Sequence, residues 1–478
     1  MPASRIRFLP LMLAVASYLS LAAPSLHGQQ EAGAAGAQAP EATPSAAPES
    51  APGPVGGVEG YRLGGPSLGH SFFVPRLGLQ EVYDSNPGYA STTGGSQSDT
   101  ITSIAGGLSL EWMKRDSTLS MDYSAGGLLY NSQSQSNGVV QQLAVVDKLT
   151  LRRWNLLLGE NLAYTPNSQF GLGGLGFIGG TTTTGLAGIG GVTNFNPFTQ
   201  PTQTIGSTNS SQLSSATVFQ AQYFLGARSS LNATGSVGFL HFFEDNLLNS
   251  RDVVARIGYD RSLTPRDTLN FSYMASIISY PSGIQGFYSQ YIQVGYRRLL
   301  TGKLLLSAST GPVITHFTPS NGQTTVPGGQ NQVNWSMFAG LDYRLRNGNA
   351  GVQYSHGVTG GSGFFVGALT DQVTGGFSHQ FTRVWTAGFT GSYARNSSFQ
   401  QTTPTSTSTS TSTFNYWNAG FFVSRPLGRY STVRFSYNAS RQTSNTTSCA
   451  NNLACGPIAL VQVIGLTFNW TTRPYKLD

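Results

Sequence analysis

Apolar and polar residues alternate through residues 108–130, LSLEWMKRDSTLSMDYSAGGLLY. One face of this pattern carries Leu108, Leu110, Trp112, Leu119, Met121, Tyr123 and Leu129. The opposite face carries Ser109, Glu111, Ser120, Asp122 and Ser124. A period of two predicts β-strands, and residues 113–116 between the two runs predict a tight hairpin turn. The apolar face would pack a core in a soluble sandwich and meet lipid in a membrane barrel, where the polar face lines a wet lumen.

The same alternation recurs from about Ser71 to the end of the chain, for example in residues 256–280, 341–357, 377–393 and 421–440. The short connections are polar and mostly basic: residues 114–116, 152–154, 226–229, 263–267, 300–303, 345–348, 381–383 and 425–429. The connections between them are long, polar or Gly-rich, and almost uncharged. Strict alternation of short turns and long loops is typical of an outer-membrane barrel, with its turns in the periplasm and its loops outside.

These hairpins give about sixteen strands, and a first strand near residues 73–84 and a last near 458–471 bring the total to roughly 18. The sequence therefore predicts an all-β fold, a transmembrane antiparallel up-and-down β-barrel of roughly 18 strands, with about 16 to 18 as the range. Such a barrel leaves an aqueous lumen unless loops fold inward. The loop 166–212 is a candidate constriction. Its amides, hydroxyls and Phe170, Phe177, Phe195 and Phe198 suit sugars better than ions.

The N-terminus predicts export. Arg5 and Arg7 precede an apolar run from Phe8 to about Pro24, followed by small and polar residues. This order is typical of a secretory signal peptide, which we assign to residues 1–28, because the run is shorter than the roughly 20 residues of a membrane span. Residues 29–70, rich in Ala, Pro and Gly, predict a disordered periplasmic linker, either a plain spacer or a tether to a periplasmic partner. Residues 71–478 are the predicted barrel.

Composition supports a membrane barrel. Charged residues are 10% of the 478 residues, against about 25% in soluble domains, while aromatic residues reach 11%. The formal net charge is +7, and part of this excess lies in the short turns. Nucleic-acid binding needs clustered charge with free stacking residues, whereas these aromatics are needed on the membrane faces. We therefore expect a basic periplasmic rim and no nucleic-acid partner.

Seven charged residues fall on polar faces within predicted strands: Arg76, Glu111, Asp122, Arg256, Arg297, Asp342 and Arg434. A charge that faces lipid near the midplane costs about 2–4 kcal/mol, so we expect these residues to line the lumen, paired with one another more often than selecting solutes. Aromatic residues near strand ends predict interfacial girdles, with ordinary β propensity as the alternative. They are Trp112, Tyr130, Trp154, Tyr164, Tyr259, Tyr280, Tyr343, Trp385, Trp417 and Trp470.

Motifs for catalysis and for metal binding are not found in the sequence. The six histidines are scattered, and no HExxH, nucleophile elbow or closely paired carboxylates occur. We predict no catalytic, cofactor-binding or metal site, and no enzymatic activity. The two cysteines, Cys449 and Cys455, lie in a polar stretch of an exported chain and are a candidate disulfide, with two free thiols as the alternative.

The first predicted strand, FFVPRLGLQEVYDSNP, resembles the opening strand of outer-membrane β-barrel porins, in which a Pro-containing strand leads to an acidic turn. Here that turn is Tyr83, Asp84, Ser85 and Asn86, and the rest of the chain resembles such barrels in layout. The resemblance implies a channel for solute passage or for exopolysaccharide export. One departure is that Trp470 is followed by TTRPYKLD, whereas typical members end on an aromatic residue that the assembly machinery reads.

Three functions therefore stand at this point. The first is an outer-membrane channel of a Gram-negative bacterium, for passive passage or export of polar solutes or saccharides. The second is a non-conducting structural or adhesive outer-membrane barrel, and the third is a secreted soluble β-repeat protein. The expected partners are outer-membrane lipid, the barrel-assembly machinery and a saccharide or small polar solute. A homo-oligomer is expected only by analogy with porins.

Overall fold

The computed structural model describes residues 71–87, 98–132, 137–165, 211–243, 248–280, 286–317, 331–360, 367–399, 412–445 and 458–477. All of them belong to one compact unit, residues 45–478. The predicted signal peptide, linker and cysteine pair lie outside the described residues, as does the loop constriction except for Ser211 and Gln212, and all four stay predictions. Within the described ranges, no helix is both long and apolar enough to cross a membrane.

Eighteen long strands and one two-residue strand make up the fold. They are β1 (Phe72–Asp84), β2 (Asp99–Met113), β3 (Ser117–Tyr130), β4 (Gly138–Thr150), β5 (Trp154–Thr165), β6 (Gln212–Gly226), β7 (Ser229–Phe242), β8 (Ser250–Ser262), β9 (Asp267–Ser279), β10 (Phe287–Leu299), β11 (Leu304–Phe317), β12 (Asn331–Leu345), β13 (Gly348–Thr359), β14 (Ala368–Gln380), β15 (Thr386–Ser398), β16 (Thr413–Pro426), β17 (Ser431–Ser444), β18 (Ile458–Thr471) and β19 (Tyr475–Lys476).

Each long strand pairs with its sequence neighbours, and β1 closes the sheet against β18. This seam is antiparallel and runs from Arg76, opposite Thr471, to Asp84, opposite Val463. The short β19 extends the seam beside the first residues of β1. Closure leaves no long free edge, so backbone groups along the wall are paired. The predicted antiparallel up-and-down barrel of roughly 18 strands is confirmed.

The eight predicted short turns are confirmed as the tight connections at one end of the barrel, here called the turn end. The long connections all leave from the opposite end, here called the loop end. One irregularity interrupts the wall between β10 and β11, where Ile292 and Gln293 have no register partners in β11. Pro312 lacks an N–H donor, and a Cβ on Gly311 would lie 1.8 Å from the Ile292 carbonyl oxygen. Glycine is therefore required for this close approach of two backbones.

The two faces of the wall differ as the alternation predicts. Large apolar side chains point outward and are exposed, including Leu77, Ile104, Leu129, Val237, Ile257, Phe271, Ile292, Trp335, Phe389 and Leu466. Inward positions are mostly polar in the turn-end half of the barrel. Eight of the ten aromatic residues assigned to girdles lie on outward positions. Tyr130 and Tyr280 contradict that assignment, because both point inward and are 4% exposed.

Candidate functional site: the barrel lumen

The seven charged residues singled out from the sequence all occupy inward positions of their strands, and Arg76, Asp122 and Arg434 are buried. Alternation places them there: in β8, for example, Val253 and Ile257 are exposed outside while Arg256 between them points inward. The structure brings some of them together and separates others. Their assignment as residues that contact a solute stays a proposal.

Arg76 and Asp122 form a buried ion pair in the turn-end half of the lumen, with side chains only 3% and 6% exposed. Arg76 Nη1 donates a hydrogen bond to Asp122 Oδ2 at 2.6 Å, and Arg76 Nη2 donates to Oδ1. Ser109 Oγ also donates to Asp122 Oδ2 at 2.7 Å. Gly107, opposite Arg76 on β2, gives the guanidinium room, since a Cβ there would lie 2.6 Å from Arg76 Nε. The ion pair is a structural clamp, because it links β1 to β3 across β2.

A polar cavity of about 200 Å³ opens at the turn end of β6–β12. Asp260 and Arg297 line it with Asn270 and several serines. Asp260 accepts hydrogen bonds from the side chains of Asn232 and Asn270. Arg256 lies deeper and donates through Nη2 to Asn270 Oδ1 at 3.2 Å and to Ser272 Oγ at 2.9 Å. The cavity therefore presents amides, hydroxyls, the carboxylate of Asp260 and the guanidinium groups of Arg228 and Arg297, groups that can bond a hydroxylated solute.

The other predicted charges are spread around the wall. The carboxylates of Asp260 and Asp342 both interact electrostatically with Arg297. Arg434 lies with its guanidinium carbon 4.0 Å from the ring centroid of Phe422, an inward-facing cation–π contact. Glu111 is half-buried near the turn end. Charge is thus distributed along the lumen rather than concentrated in one ring.

The loop end of the lumen carries two clusters of buried apolar residues, on separate arcs of the wall and among buried polar residues such as Asp84, Asp252 and Asn396. The first consists of Val82, Ile101, Leu128, Tyr130, Val140, Tyr416, Val461 and Val463. The second consists of Val254, Met274, Ile278, Tyr280, Phe287, Tyr291, Val313, Phe317, Val358 and Phe399. Inward apolar side chains at this end break the polar-inside pattern, and sequence reasoning missed them because alternation gives a residue's face but not its depth.

Within the second cluster, Tyr280 joins the ends of strands that are not neighbours. Its hydroxyl donates to the Gly360 carbonyl oxygen at 2.8 Å and accepts from the Gly367 N–H at 3.1 Å. Gly367 has φ +78°, and a Cβ there would lie within 2.7 Å of the Phe287 and Phe399 rings, so only glycine fits. Burial raises the pKa of the Tyr280 hydroxyl. Tyr280 thus ties the end of β9 to the β13–β14 connection.

The outer wall also carries charges that the sequence analysis did not assign, among them Glu160. Glu160 lies midway along β5 and faces outward with Leu158 and Leu162. Ser215 Oγ donates to Glu160 Oε1 at 2.7 Å, and Thr217 also donates to this carboxylate. Counting alternate residues along WNLLLGENLAYT would have found it, since Glu160 shares its face with the leucines. Across the described strands and turns, no group of three His, Cys, Asp or Glu residues could hold a metal ion.

Comparison with known proteins gives structural neighbours only. No family model and no curated protein matches the chain. OccK2 (OpdF) of Pseudomonas aeruginosa, solved in complex with glucuronate, is 12% identical and is matched over 84% of this chain and 97% of its own, with a TM-score of 0.41. OccAB3 of Acinetobacter baumannii is 10% identical over 84% and 99%, with a TM-score of 0.43.

The outer membrane protein OpdK of P. aeruginosa is 10% identical over 84% of this chain and 99% of its own, with a TM-score of 0.41. At this distance the likeness carries no conclusion about function. The barrel assignment rests on the closed strand ladder itself.

Proposed function

We propose that the protein is an outer-membrane channel that passes or exports small polar solutes or saccharides. The observation that supports this proposal is the segregation of the two faces of a closed barrel, apolar outside and polar inside at the turn end. Exposed apolar side chains around a closed wall are favourable in lipid and unfavourable in water. The secreted soluble alternative would leave this face without cover.

The orientation follows from the two ends of the barrel. Trp112, Trp154, Trp385 and Trp470 are exposed close to the turn end, where an aromatic girdle is expected at one membrane surface. Outer-membrane barrels place their short turns in the periplasm and their long loops outside. We therefore assign the turn end to the periplasm and the loop end to the cell exterior, in a Gram-negative outer membrane.

The solute class follows from the lumen. The four inward arginines singled out above are opposed by the three carboxylates singled out with them and by Asp260, and Asp122 already neutralises Arg76. Amides and hydroxyls supply most of the remaining polar surface around the cavity. Neutral hydroxylated solutes match this lining, with a weak preference for anions from Arg256, Arg297 and Arg434. The proposal assigns no catalytic residue and no cofactor.

Single-channel recording of the refolded protein in a planar bilayer tests the proposal. We expect steady conductance and a reversal potential that indicates anion preference under a salt gradient. Arg256→Gln and Arg297→Gln should lower that preference, whereas Arg251→Gln, on the outer face of β8, should not change it. A folded, membrane-inserted barrel that never conducts would contradict the channel.

The second candidate is the non-conducting structural or adhesive barrel. The buried apolar side chains at the loop end favour this function, because they occupy two separate arcs of the wall there. Liposome swelling in sugars of increasing size distinguishes the two functions, since a barrel closed at the loop end gives no swelling with any sugar. Assembly by the barrel-assembly machinery, a periplasmic partner of the linker and a homo-oligomer stay expectations.

A further inference from the structure

Two arginines face outward near the loop end of β15 and β17. Arg395 and Arg441 are exposed and occupy the outward positions of their strands, like Phe389 and Phe435 nearer the turn end. The strand between them, β16, places Trp417 directly opposite Arg441, and the Trp417 side chain is 38% exposed. Arg395 and Arg441 are two strands apart and offset by two residues in register, about 12 Å at the usual strand spacing and rise. We call Arg395, Trp417 and Arg441 the outer basic patch.

The depth of this patch is that of a lipid headgroup. On the same strip of wall, Trp385 and Arg425 mark the turn end, where the Arg425 guanidinium carbon lies 5.3 Å from the Trp385 ring centroid. Ten residues separate Trp385 from Arg395, about 25 Å of wall at the usual rise and tilt of barrel strands. The apolar band of an outer-membrane barrel is about 25 Å tall. Arg395 therefore lies at the boundary of that band on the loop side.

The two arginines lack an ion partner of the kind that the outward Arg298 has. In the part of the chain that the structure describes, neither side chain makes a hydrogen bond or an ion pair. Arg298, by comparison, pairs with Asp267 at 3.5 Å. Asp371 is directly opposite Arg395 on β14, but it accepts hydrogen bonds from Tyr354 at 2.9 Å and from His356 at 2.7 Å instead. The guanidinium groups of Arg395 and Arg441 are therefore available to a ligand at the membrane surface.

We propose that the outer basic patch binds the phosphorylated headgroup of a glycolipid in the outer leaflet. This proposal rests on the orientation assigned under the proposed function. Guanidinium groups form short bidentate hydrogen bonds with phosphate, and the positive charge of two arginines complements such a headgroup. Trp417 between them offers an amphipathic ring where sugar meets acyl chain. The site lies outside the lumen and does not depend on solute passage.

Native mass spectrometry of the refolded full barrel in detergent, with lipid A bisphosphate as the probe, tests this site. We expect the wild-type protein to retain the lipid and the Arg395→Gln/Arg441→Gln variant to bind it at least about tenfold more weakly, since two charge-assisted hydrogen-bonding groups are removed. Lipid A without phosphates should bind as weakly to the wild type. Arg395→Lys/Arg441→Lys should give intermediate affinity, because charge remains without the bidentate geometry.

Arg251→Gln is the matched control, because Arg251 is also exposed, outward-facing and near the loop end, but its neighbours in register are Phe239 and Ser279. Equal lipid loss in Arg251→Gln, unchanged binding in the double variant, or equal binding of phosphatidylglycerol would overturn the proposal. Heat-modifiable migration on gels reports folding of each variant. Conductance measured on the same samples distinguishes the two proposals. Lipid binding without conductance would contradict the channel and still support the glycolipid site.

Discussion

The two halves of the lumen share one strand ladder and differ in what the ladder carries. At the turn end, inward positions hold Asp260, Arg297 and Asn270 around an open cavity. At the loop end, inward positions of the same strands hold Val254, Met274 and Phe287, which are buried. Backbone pairing is continuous through both halves of β8 and β9. The backbone pairing is therefore common to both halves, and the choice of inward side chains decides how polar each half of the lumen is.

This difference suggests where a barrier to passage lies. Polar groups around a cavity exchange hydrogen bonds with water and with a solute at little net cost. A buried apolar cluster offers no such exchange, and a polar solute must lose its hydration to pass it. Selection by hydrogen bonding is thus expected at the turn end and exclusion by packing at the loop end. Each of the following substitutions alters one half of the lumen and leaves the other unchanged.

The largest effect is expected from Asp122→Ala in the polar half. Removing this carboxylate leaves Arg76 buried without its ion partner, which costs about 3–5 kcal/mol of the free energy of unfolding. Urea unfolding of the folded barrel, followed by tryptophan fluorescence, measures this loss. Ser109→Ala is the control, since it keeps the ion pair and removes only the hydroxyl that accepts from Arg76 Nη1 and donates to the same carboxylate, and it should cost about 1 kcal/mol. Equal losses in both variants would contradict a clamp made by the ion pair.

Phe399→Ala is expected to have a smaller effect on stability and to change conductance. Phe399 packs edge-on against Phe317, with ring centroids 5.1 Å apart, and against Phe287 at 5.9 Å. Truncation leaves a cavity at the loop end and costs about 3 kcal/mol. We expect single-channel conductance to rise, because the apolar half narrows the lumen.

Phe389→Ala is the matched control for that variant. Phe389 lies on β15, which Phe399 directly follows, and it faces outward and is 54% exposed. Lipid refills the space that its truncation leaves, so stability should fall less and conductance should not change. A conductance that rises equally in both variants would show that the barrier does not lie in the loop-end cluster.

The strands of the wall could be predicted from the sequence, and the apolar clusters at the loop end could not. Period-two alternation and eight basic turns are local signals, so the strands, turns and inward faces of Arg76 and Arg256 follow from counting residues. Tyr130 and Tyr280 show the limit of this counting. Both lie near strand ends, as girdle aromatics do, but their parity points them inward into clusters assembled from distant strands.

The sequence likewise predicted which charged residues face the lumen but not which of them pair. Alternation identified charges on polar faces, but pairing depends on which strands become neighbours and in which register. Asp122 meets Arg76 across β2, 46 residues away in sequence. Glu160 breaks the rule that charges point inward, and its hydroxyl donors come from β6, beyond the long loop. Contacts of this kind require the register, which a single sequence does not specify.

Tyr280→Phe is expected to have the smallest effect and to sharpen the comparison most. It keeps the ring in the apolar cluster and removes only the hydroxyl bonded to Gly360 and Gly367. We expect a loss of about 1 kcal/mol in the free energy of unfolding at neutral pH. The β13–β14 connection should also become more accessible to protease, because it loses its tie to β9.

The pH dependence of this tie has a definite sign. Because burial raises the pKa of Tyr280 in the folded state, its contribution is fully present below the ordinary tyrosine pKa of about 10 and is lost progressively as the pH rises above that value. Urea unfolding at pH 8 and at pH 11 should therefore show a larger difference for the wild type than for Tyr280→Phe. Identical pH dependence in the two proteins would mean that the hydroxyl does not hold the loop end together, and that ring packing alone closes it.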